Sequence, residues 1–256
     1  MNANDSGLPP KAPPWRTCLD FERQDAAHYH DFVNAGLLDM VQLPPRRVLD
    51  LGCAAGALGA ALKSRHPAAA VTGIEAGSAA AQRASTRIDR VIRSRIEDVD
   101  FDAPDLGGPF DTVIAADVLE HLANPWAVLL RLRAHLVADA QILASIPNVR
   151  NIWLVHRLLM DGRWEYTERG LLDVTHLRFF TRTEMHALFS DTGYRVEAQQ
   201  ASILPSLAAL YASYRGHGAR EISLDRLKIV DVTADELLEL CAENFLIRAR
   251  PLAAAA

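Results

Sequence analysis

Val48-Leu49-Asp50-Leu51-Gly52-Cys53-Ala54-Ala55-Gly56 decides how this chain is read. Arg47 to Leu51 (RVLDL) is a short apolar run, the pattern of a buried strand. It ends in a turn of small residues, and Gly56 to Ser64 then reads as a helix that stops before His66-Pro67. A strand, a tight turn and a helix form the unit of a doubly wound sheet, in which ligands approach backbone at the strand ends. A turn of this kind also serves plain helix–strand packing, so its neighbours decide what it holds. A dinucleotide site would want three glycines around a pyrophosphate at the helix N-terminus. Here Ala54 and Ala57 stand at the second and third glycine positions, and Asp50 is a poor neighbour for a dianion. Asp50 suits a cation instead.

The same alternation continues outward. Val71 to Glu75 reads as a second strand, Ser78 to Ile88 as a helix, Arg90 to Arg93 as a third strand and Phe110 to Ala116 as a fourth. Asn124-Pro125 is a helix start, with Asn as the cap and Pro in the first turn, and that helix is expected to run to about Val137. Gln141 to Ile146 is a fifth strand. Thr181 and Glu184 have the spacing of a capping box, and the helix they open should stop at Gly193. Thr233 and Glu236 repeat that spacing. Tyr194 to Gln199 and Phe245 to Arg250 are the last strands, and Leu19 to Val41 has helical spacing up to Pro44-Pro45. Such alternation implies a mostly parallel sheet with helices on both faces. Met1 to Pro14 is Pro-rich and reads as a mobile tail, leaving 15–252 as a single domain with insertions at about 148–180 and 201–244. Ser206 to Tyr214, in the second insertion, has the spacing of core or lid packing.

S-adenosylmethionine carries an ammonium and a sulfonium and no phosphate, so Asp50 suits it directly or through water. Glu75 ends the second strand 25 positions after Asp50, where a carboxylate can accept hydrogen bonds from both ribose hydroxyls. With these residues in register, the chain resembles a class I S-adenosylmethionine-dependent methyltransferase. Asp50 to Gly56 resembles that family's first motif, Glu75 its ribose acid, and Phe110-Asp111 through Asp117-Val118-Leu119-Glu120-His121-Leu122 its fourth-strand motif. The resemblance implies a Rossmann-like α/β fold of seven strands in the order 3-2-1-4-5-7-6, the last antiparallel, with lid insertions. It further implies S-adenosylmethionine as cofactor, held by Asp50, Gly52, Cys53, Ala54, Gly56, Glu75, Ala76, Ile96, Glu97, Asp117 and Val118.

Two positions depart from the family. Ala54 stands where Gly is usual, and Arg95 stands where an Asp that accepts the adenine amino group is usual. Ile96 then offers apolar and backbone contact, with Glu97 or Asp98 as acceptor. These departures keep open a second reading, a non-catalytic cofactor-binding partner of another enzyme.

The run Gly170-Leu171-Leu172-Asp173-Val174-Thr175-His176-Leu177-Arg178-Phe179-Phe180-Thr181 resembles a bacterial methyltransferase subgroup that often accompanies glycosyltransferases in surface-polysaccharide and glycan pathways. Ser145 to Val149 and Gly162 to Tyr166 fit the same subgroup. The resemblance implies a small-molecule or glycan-type acceptor, methylated on O or N. The insertion holds Trp153, His156, Trp164, Tyr166, Asp173, His176 and Arg178, groups suited to sugar faces and hydroxyls. Its plain structural reading pairs Asp173 with Arg178 and buries Phe179 and Phe180. His121 leads as catalytic base, with Asp117 one helical turn away to fix its tautomer, and His176 and Asp173 are further catalytic candidates.

Composition narrows the alternatives. Against 27 Lys+Arg stand 32 Asp+Glu, a net charge of −5, so no basic surplus points to nucleic acid. Cys18, Cys53 and Cys241 are far apart and form no CxxC pair, which fits a reducing, cytoplasmic setting without a zinc cage. No apolar run is long enough to span a membrane and no secretion signal is read at the N-terminus. Asp98-x-Asp100-x-Asp102 lacks the Gly and Glu of a calcium loop, and His28-Tyr29-His30 does not share a helix face, so no metal site is expected. No oligomeric state is read.

Overall fold

A computed structural model describes residues 31–103 and 106–253. In chain order the strands are β1 (Arg47–Leu51), β2 (Ala70–Glu75), β3 (Arg90–Arg93), β4 (Phe110–Ala116), β5 (Leu136–Pro147), β6 (Tyr194–Ile203), β7 (Ala219–Leu224), β8 (Leu227–Val232) and β9 (Ala242–Pro251). Seven of them build one sheet in the order β3-β2-β1-β4-β5-β9-β6. Strands β1 to β5 pair in parallel, and β9 lies antiparallel between β5 and β6. This is the expected sheet, with the last strand of the chain as its antiparallel member.

The helices are α1 (Ala35–Asp39), α2 (Ala57–Arg65), α3 (Ser78–Ala84), α4 (Pro125–Leu132), α5 (Ile152–His156), α6 (Arg182–Asp191), α7 (Ala208–Tyr214) and α8 (Ala234–Cys241). Successive strand residues enter opposite cores, as a sheet covered on both faces requires. Leu49, Leu51, Val113, Ala115, Ile142 and Ala144 join one apolar cluster, while Val48, Ile114 and Leu143 join the other. Tyr194 is buried in the first and spends its hydroxyl on the carbonyl of Leu129 at 2.7 Å.

Three local expectations change. The helix from Asn124 starts as read, with Asn124 Oδ1 accepting from the Ala127 N–H at 3.0 Å. It ends at Leu132, though, because Leu136 pairs with Phe110 and starts β5. Thr181 does not cap α6 through backbone, since its hydroxyl goes to the Glu184 carboxylate instead. Thr233 and Glu236 do form the reciprocal box, at 3.2 and 3.0 Å. The helix expected from Leu19 covers only Ala35–Asp39 among the described residues, and Phe32 is 68% exposed while Leu37 and Leu38 are buried. Its earlier part, the tail to Pro14, Cys18, His28-Tyr29-His30 and residues 254–256 lie outside the described residues.

Both insertions sit where β5 and β9 meet. The first closes on itself, with Asn148 bridged to Phe180 and the Val149 N–H donating to the Phe180 carbonyl at 3.0 Å. The second builds a small core of its own from Leu207, Ile222, Val232, Leu237 and Leu240, and Ile152 of the first insertion is buried in it. Its β7–β8 hairpin turns at Asp225, where φ is +52°.

Candidate active site

The loop after β1 takes three left-handed residues, Gly52 at φ +63°, Ala54 at +46° and Gly56 at +77°. A Cβ on Gly52 would lie 2.6 Å from Val118 Cγ2, so the loop presses on the end of β4 and only glycine fits. Ala54 holds the same backbone region with a Cβ, at a cost of roughly 1–2 kcal/mol. The usual glycine at this position is thus explained by backbone conformation. Ala54→Gly should raise stability by about 0.5–1 kcal/mol, the relief of strain less the added freedom of the unfolded chain. Chemical denaturation of the two proteins checks it, and a loss of stability would contradict the strain.

Asp50 and Glu75 meet beside this loop. Both are buried, at 2% and 6% exposure. Glu75 Oε2 accepts from the Ala54 N–H at 3.0 Å and Oε1 from the Gly77 N–H at 2.7 Å, straddling Ala76 and tying the end of β2 to the β1 loop. Burial raises the Glu75 pKa, and the backbone donors oppose that. Asp50 Oδ2 has no hydrogen-bond partner, and burial, then the proximity of Glu75, pushes its pKa up to about 7. A buried, unsatisfied carboxylate beside a cradle that a Cβ would fill fits a compact cationic cofactor group. Cys53 is buried next to them, in room left by the missing side chain of Gly73.

The sign of the Asp50 shift gives a prediction. Its folded pKa exceeds the unfolded value, so the folded chain holds the proton longer and stability falls as pH rises from about 4 to about 7. Asp50→Asn should therefore stabilise the cofactor-free protein by about 2–4 kcal/mol at pH 8 and leave it nearly unchanged at pH 4. Thermal melts at both pH values test this, and equal effects at both would refute it.

On the next strand ends, Ile96 is buried in the main core with Val118, and Arg95 is 62% exposed. Glu97 is partly committed, since its Oε1 accepts from the Asn124 N–H at 2.9 Å. Asp117 leaves β4 at φ +51° and its Oδ1 accepts from Ser145 Oγ at 2.8 Å and Asn244 Nδ2 at 2.6 Å. It therefore does not orient His121 by hydrogen bond as expected, and Leu119–His121 is a 3₁₀ turn in place of an α-helical one.

That role falls to the first insertion. His121 Nδ1 lies 3.0 Å from Thr175 Oγ1 and 3.3 Å from the Thr175 carbonyl, and Thr175 Oγ1 donates to Asp173 Oδ1 at 2.7 Å. With the hydroxyl proton spent on Asp173, His121 Nδ1 is the donor and Nε2 keeps a lone pair. His176 Nδ1 lies 3.3 Å from the Leu171 carbonyl, which leaves its Nε2 unprotonated too. The two imidazoles meet edge to face at 4.7 Å between ring centres. Burial lowers both pKa values, that of His176 to about 4 with His121 contributing. Glu120 completes the group: its carbonyl accepts from the Leu177 and Arg178 N–H at 2.8 and 2.9 Å, while its buried side chain faces both histidines.

So the structure gathers Asp173, His121 and His176, and it gathers Asp50, Gly52, Cys53, Ala54, Gly56, Glu75 and Ala76. Sequence reading missed Thr175, Ser145 and Asn244 as partners, and it gave Glu120 no role. Their roles rest on contacts across elements, Thr175 with His121 and Ser145 and Asn244 with Asp117, which no local spacing reports. The Asp173–Arg178 pairing is not formed: Arg178 donates to the carbonyls of Ala123 and Leu177. Phe180 is buried as expected, whereas Phe179 is half-buried between Trp164 and His176.

A doubly wound sheet with this strand order, a glycine-bearing first loop and acids ending β1 and β2 defines the class of Rossmann-like methyltransferases. A model of a methyltransferase-domain family matches residues 21–199, and the chain belongs to that family. It is an S-adenosylmethionine-dependent methyltransferase. It is 27% identical over 187 residues to a malonyl-[acyl-carrier protein] O-methyltransferase of Geobacter sulfurreducens, covering 70% of this chain and 68% of the relative. It is 32% identical over 150 residues to a trans-aconitate 2-methyltransferase of Deinococcus radiodurans, covering 56% of each, so the chain spans about half of that relative. A solved methyltransferase from Thermotoga maritima shares the fold at a TM-score of 0.56 with 14% identity, covering 88% of this chain and 90% of the other. Among the described residues, no helix is long and apolar enough to cross a membrane.

Proposed function

We propose that the enzyme methylates an oxygen of a small-molecule or glycan-type acceptor bound between the β1–β2 edge and the first insertion. The observation that carries this is the gathering of Glu120, His121 and His176, with the His121 ring held by Asp173 through Thr175 and the His176 ring by the Leu171 carbonyl, on the strand edge that also presents Asp50 and Glu75. The cofactor, when bound, supplies an electrophilic methyl group on sulfonium. Asp50 and Ala54 to Gly56 take its amino-acid end and Glu75 its ribose, with Val118 and Ile96 beside the base and Asp117 closing the edge.

On the acceptor side, His121 and His176 contact the attacking group, and Asp173 acts through Thr175 to hold the His121 ring. Lone pairs on both Nε2 atoms can take the proton that a hydroxyl acceptor gives up as it is methylated. The half-exposed aromatics Trp153 and Tyr166, at 37% and 45%, offer faces for a sugar-like acceptor. The O-methyltransferase named among the relatives supports an oxygen acceptor. A role in polysaccharide assembly agrees with the sequence of the first insertion, and a cytoplasmic setting with the three separated cysteines.

The test is calorimetry with S-adenosylhomocysteine followed by methyl-transfer assays on nucleotide-sugar, lipid-linked glycan and small carboxylate acceptors. Cofactor binding with transfer to a hydroxylated glycan precursor supports the reading. Transfer to small carboxylates alone would narrow the acceptor to a small molecule, and transfer to amines alone would overturn the oxygen acceptor.

A further inference from the structure

We propose that Glu120, His121 and His176 form a site for a divalent first-row transition ion, placed where the acceptor docks. This rests on the acceptor-side reading above and changes one part of it: with the ion bound, both Nε2 lone pairs go to the metal, so the imidazoles hold the ion and an acceptor oxygen meets it at the open positions. Glu120 Oε1 lies 4.0 Å from His121 Nε2 and 3.9 Å from His176 Nε2, and one ligand atom from each residue falls within 4.8 Å of the others. Each convergent atom is an acceptor. The two Nδ1 atoms face oxygens of Thr175 and of Leu171, so both Nε2 atoms present lone pairs to the carboxylate. Neither carboxylate oxygen of Glu120 has a hydrogen-bond partner, although the side chain is only 2% exposed. Three buried or half-buried acceptors aimed at one point, with no donor among the described residues, are an unfavourable arrangement by themselves. A cation shared among them resolves it.

The donor set also names the ion. Two neutral imidazoles and one carboxylate suit Zn²⁺, Fe²⁺, Co²⁺ or Mn²⁺ rather than Mg²⁺ or Ca²⁺, which favour oxygen. Ligand atoms around one such ion lie about 3.0–3.5 Å apart, so the ligand atoms must close on one another by roughly 0.5–1.5 Å. The second shell is already built. Thr175 and Leu171 hold the two Nδ1 positions, and Asp173 holds Thr175. His176 is 5% exposed and His121 is 34% exposed, so the group opens on the His121 side. Three protein ligands leave coordination positions there for acceptor oxygens, which restricts the acceptor to molecules with a hydroxyl or carboxylate next to the methylated atom. Ligand spacing in the sequence hides the site, since His176 follows His121 by 55 residues and only the insertion's fold brings it back.

The experiment titrates Co²⁺ into the chelator-treated full chain near neutral pH and reads visible d–d absorption. One Co²⁺ per chain is expected, displaced by Zn²⁺. Glu120→Gln and His176→Gln should each weaken it about 10-fold or more, checked for folding by circular dichroism. His186→Gln should not change it, because that imidazole is on the exposed side of α6 and meets Gln199 at 2.6 Å. No saturable Co²⁺ spectrum in the native chain overturns the site, as does unchanged affinity in either folded variant. S-adenosylhomocysteine calorimetry on the same samples separates the two readings. Cofactor binding without Co²⁺ binding sinks the metal site alone, and Co²⁺ binding without cofactor binding keeps the metal site and sinks the cofactor loop.

Discussion

Glu75→Ala is expected to weaken S-adenosylmethionine binding by about 100-fold, the largest effect on cofactor affinity of any single change in the site. Two charge-assisted hydrogen bonds to ribose hydroxyls, at roughly 1.5 kcal/mol each or more, amount to that factor. The carboxylate has a second duty in the free chain. It accepts from Ala54 and Gly77 N–H groups and so joins the β1 loop to the end of β2. Glu75→Ala therefore also costs stability, about 1–3 kcal/mol for the backbone donors left behind. Glu75→Gln separates the two effects: one amide oxygen keeps a single backbone bond, while the charge that favours the ribose hydroxyls is gone. Calorimetry with S-adenosylhomocysteine, alongside melts, reads both. Full affinity in Glu75→Ala would remove Glu75 from the cofactor site.

How far the sequence carried the fold follows from which forces are local. The β1 loop was legible because glycines and a terminal acid stand next to each other, and the strands because their apolar runs are short and bounded. The end of α4 was misplaced because Leu136 and Val137 satisfy a helix period as well as a strand, and only pairing with Phe110 decides. Thr181 had the right spacing for a cap, but its hydroxyl found a closer acceptor in the Glu184 side chain. The β7–β8 hairpin was overlooked although Ile222-Ser223-Leu224 and Leu227-Lys228-Ile229 alternate apolar and polar residues on either side of Asp225-Arg226. At the site, Asp117 and His121 are four apart, which reads as one helical face. The left-handed turn at Asp117 breaks that face and sends the carboxylate to Ser145 and Asn244. Thr175 takes its place from 54 residues away, a distance that no local pattern reports.

His121→Ala is expected to lower turnover by about 100-fold to 10,000-fold at saturating cofactor while leaving S-adenosylhomocysteine affinity within about twofold. The ring makes no hydrogen bond to Asp50, Glu75 or the loop between Gly52 and Gly56, and in the proposed site it faces the acceptor, so the effect belongs in kcat. Thr175→Val and Asp173→Asn act through the ring. Thr175→Val removes the hydroxyl that joins Asp173 Oδ1 to His121 Nδ1, and Asp173→Asn weakens that acceptor by removing its charge, so each loosens the hold on the imidazole. Both should lower kcat by about 10-fold with little change in cofactor affinity, since misplacement costs less than deletion. A double variant, His121→Ala with Thr175→Val, should be no slower than His121→Ala, because Thr175 then has no ring to hold. Additive losses would show that Thr175 works on the acceptor independently. Unchanged turnover in His121→Ala, with cofactor and acceptor saturating, would move the chemistry to His176 and leave His121 as a bracket for the insertion.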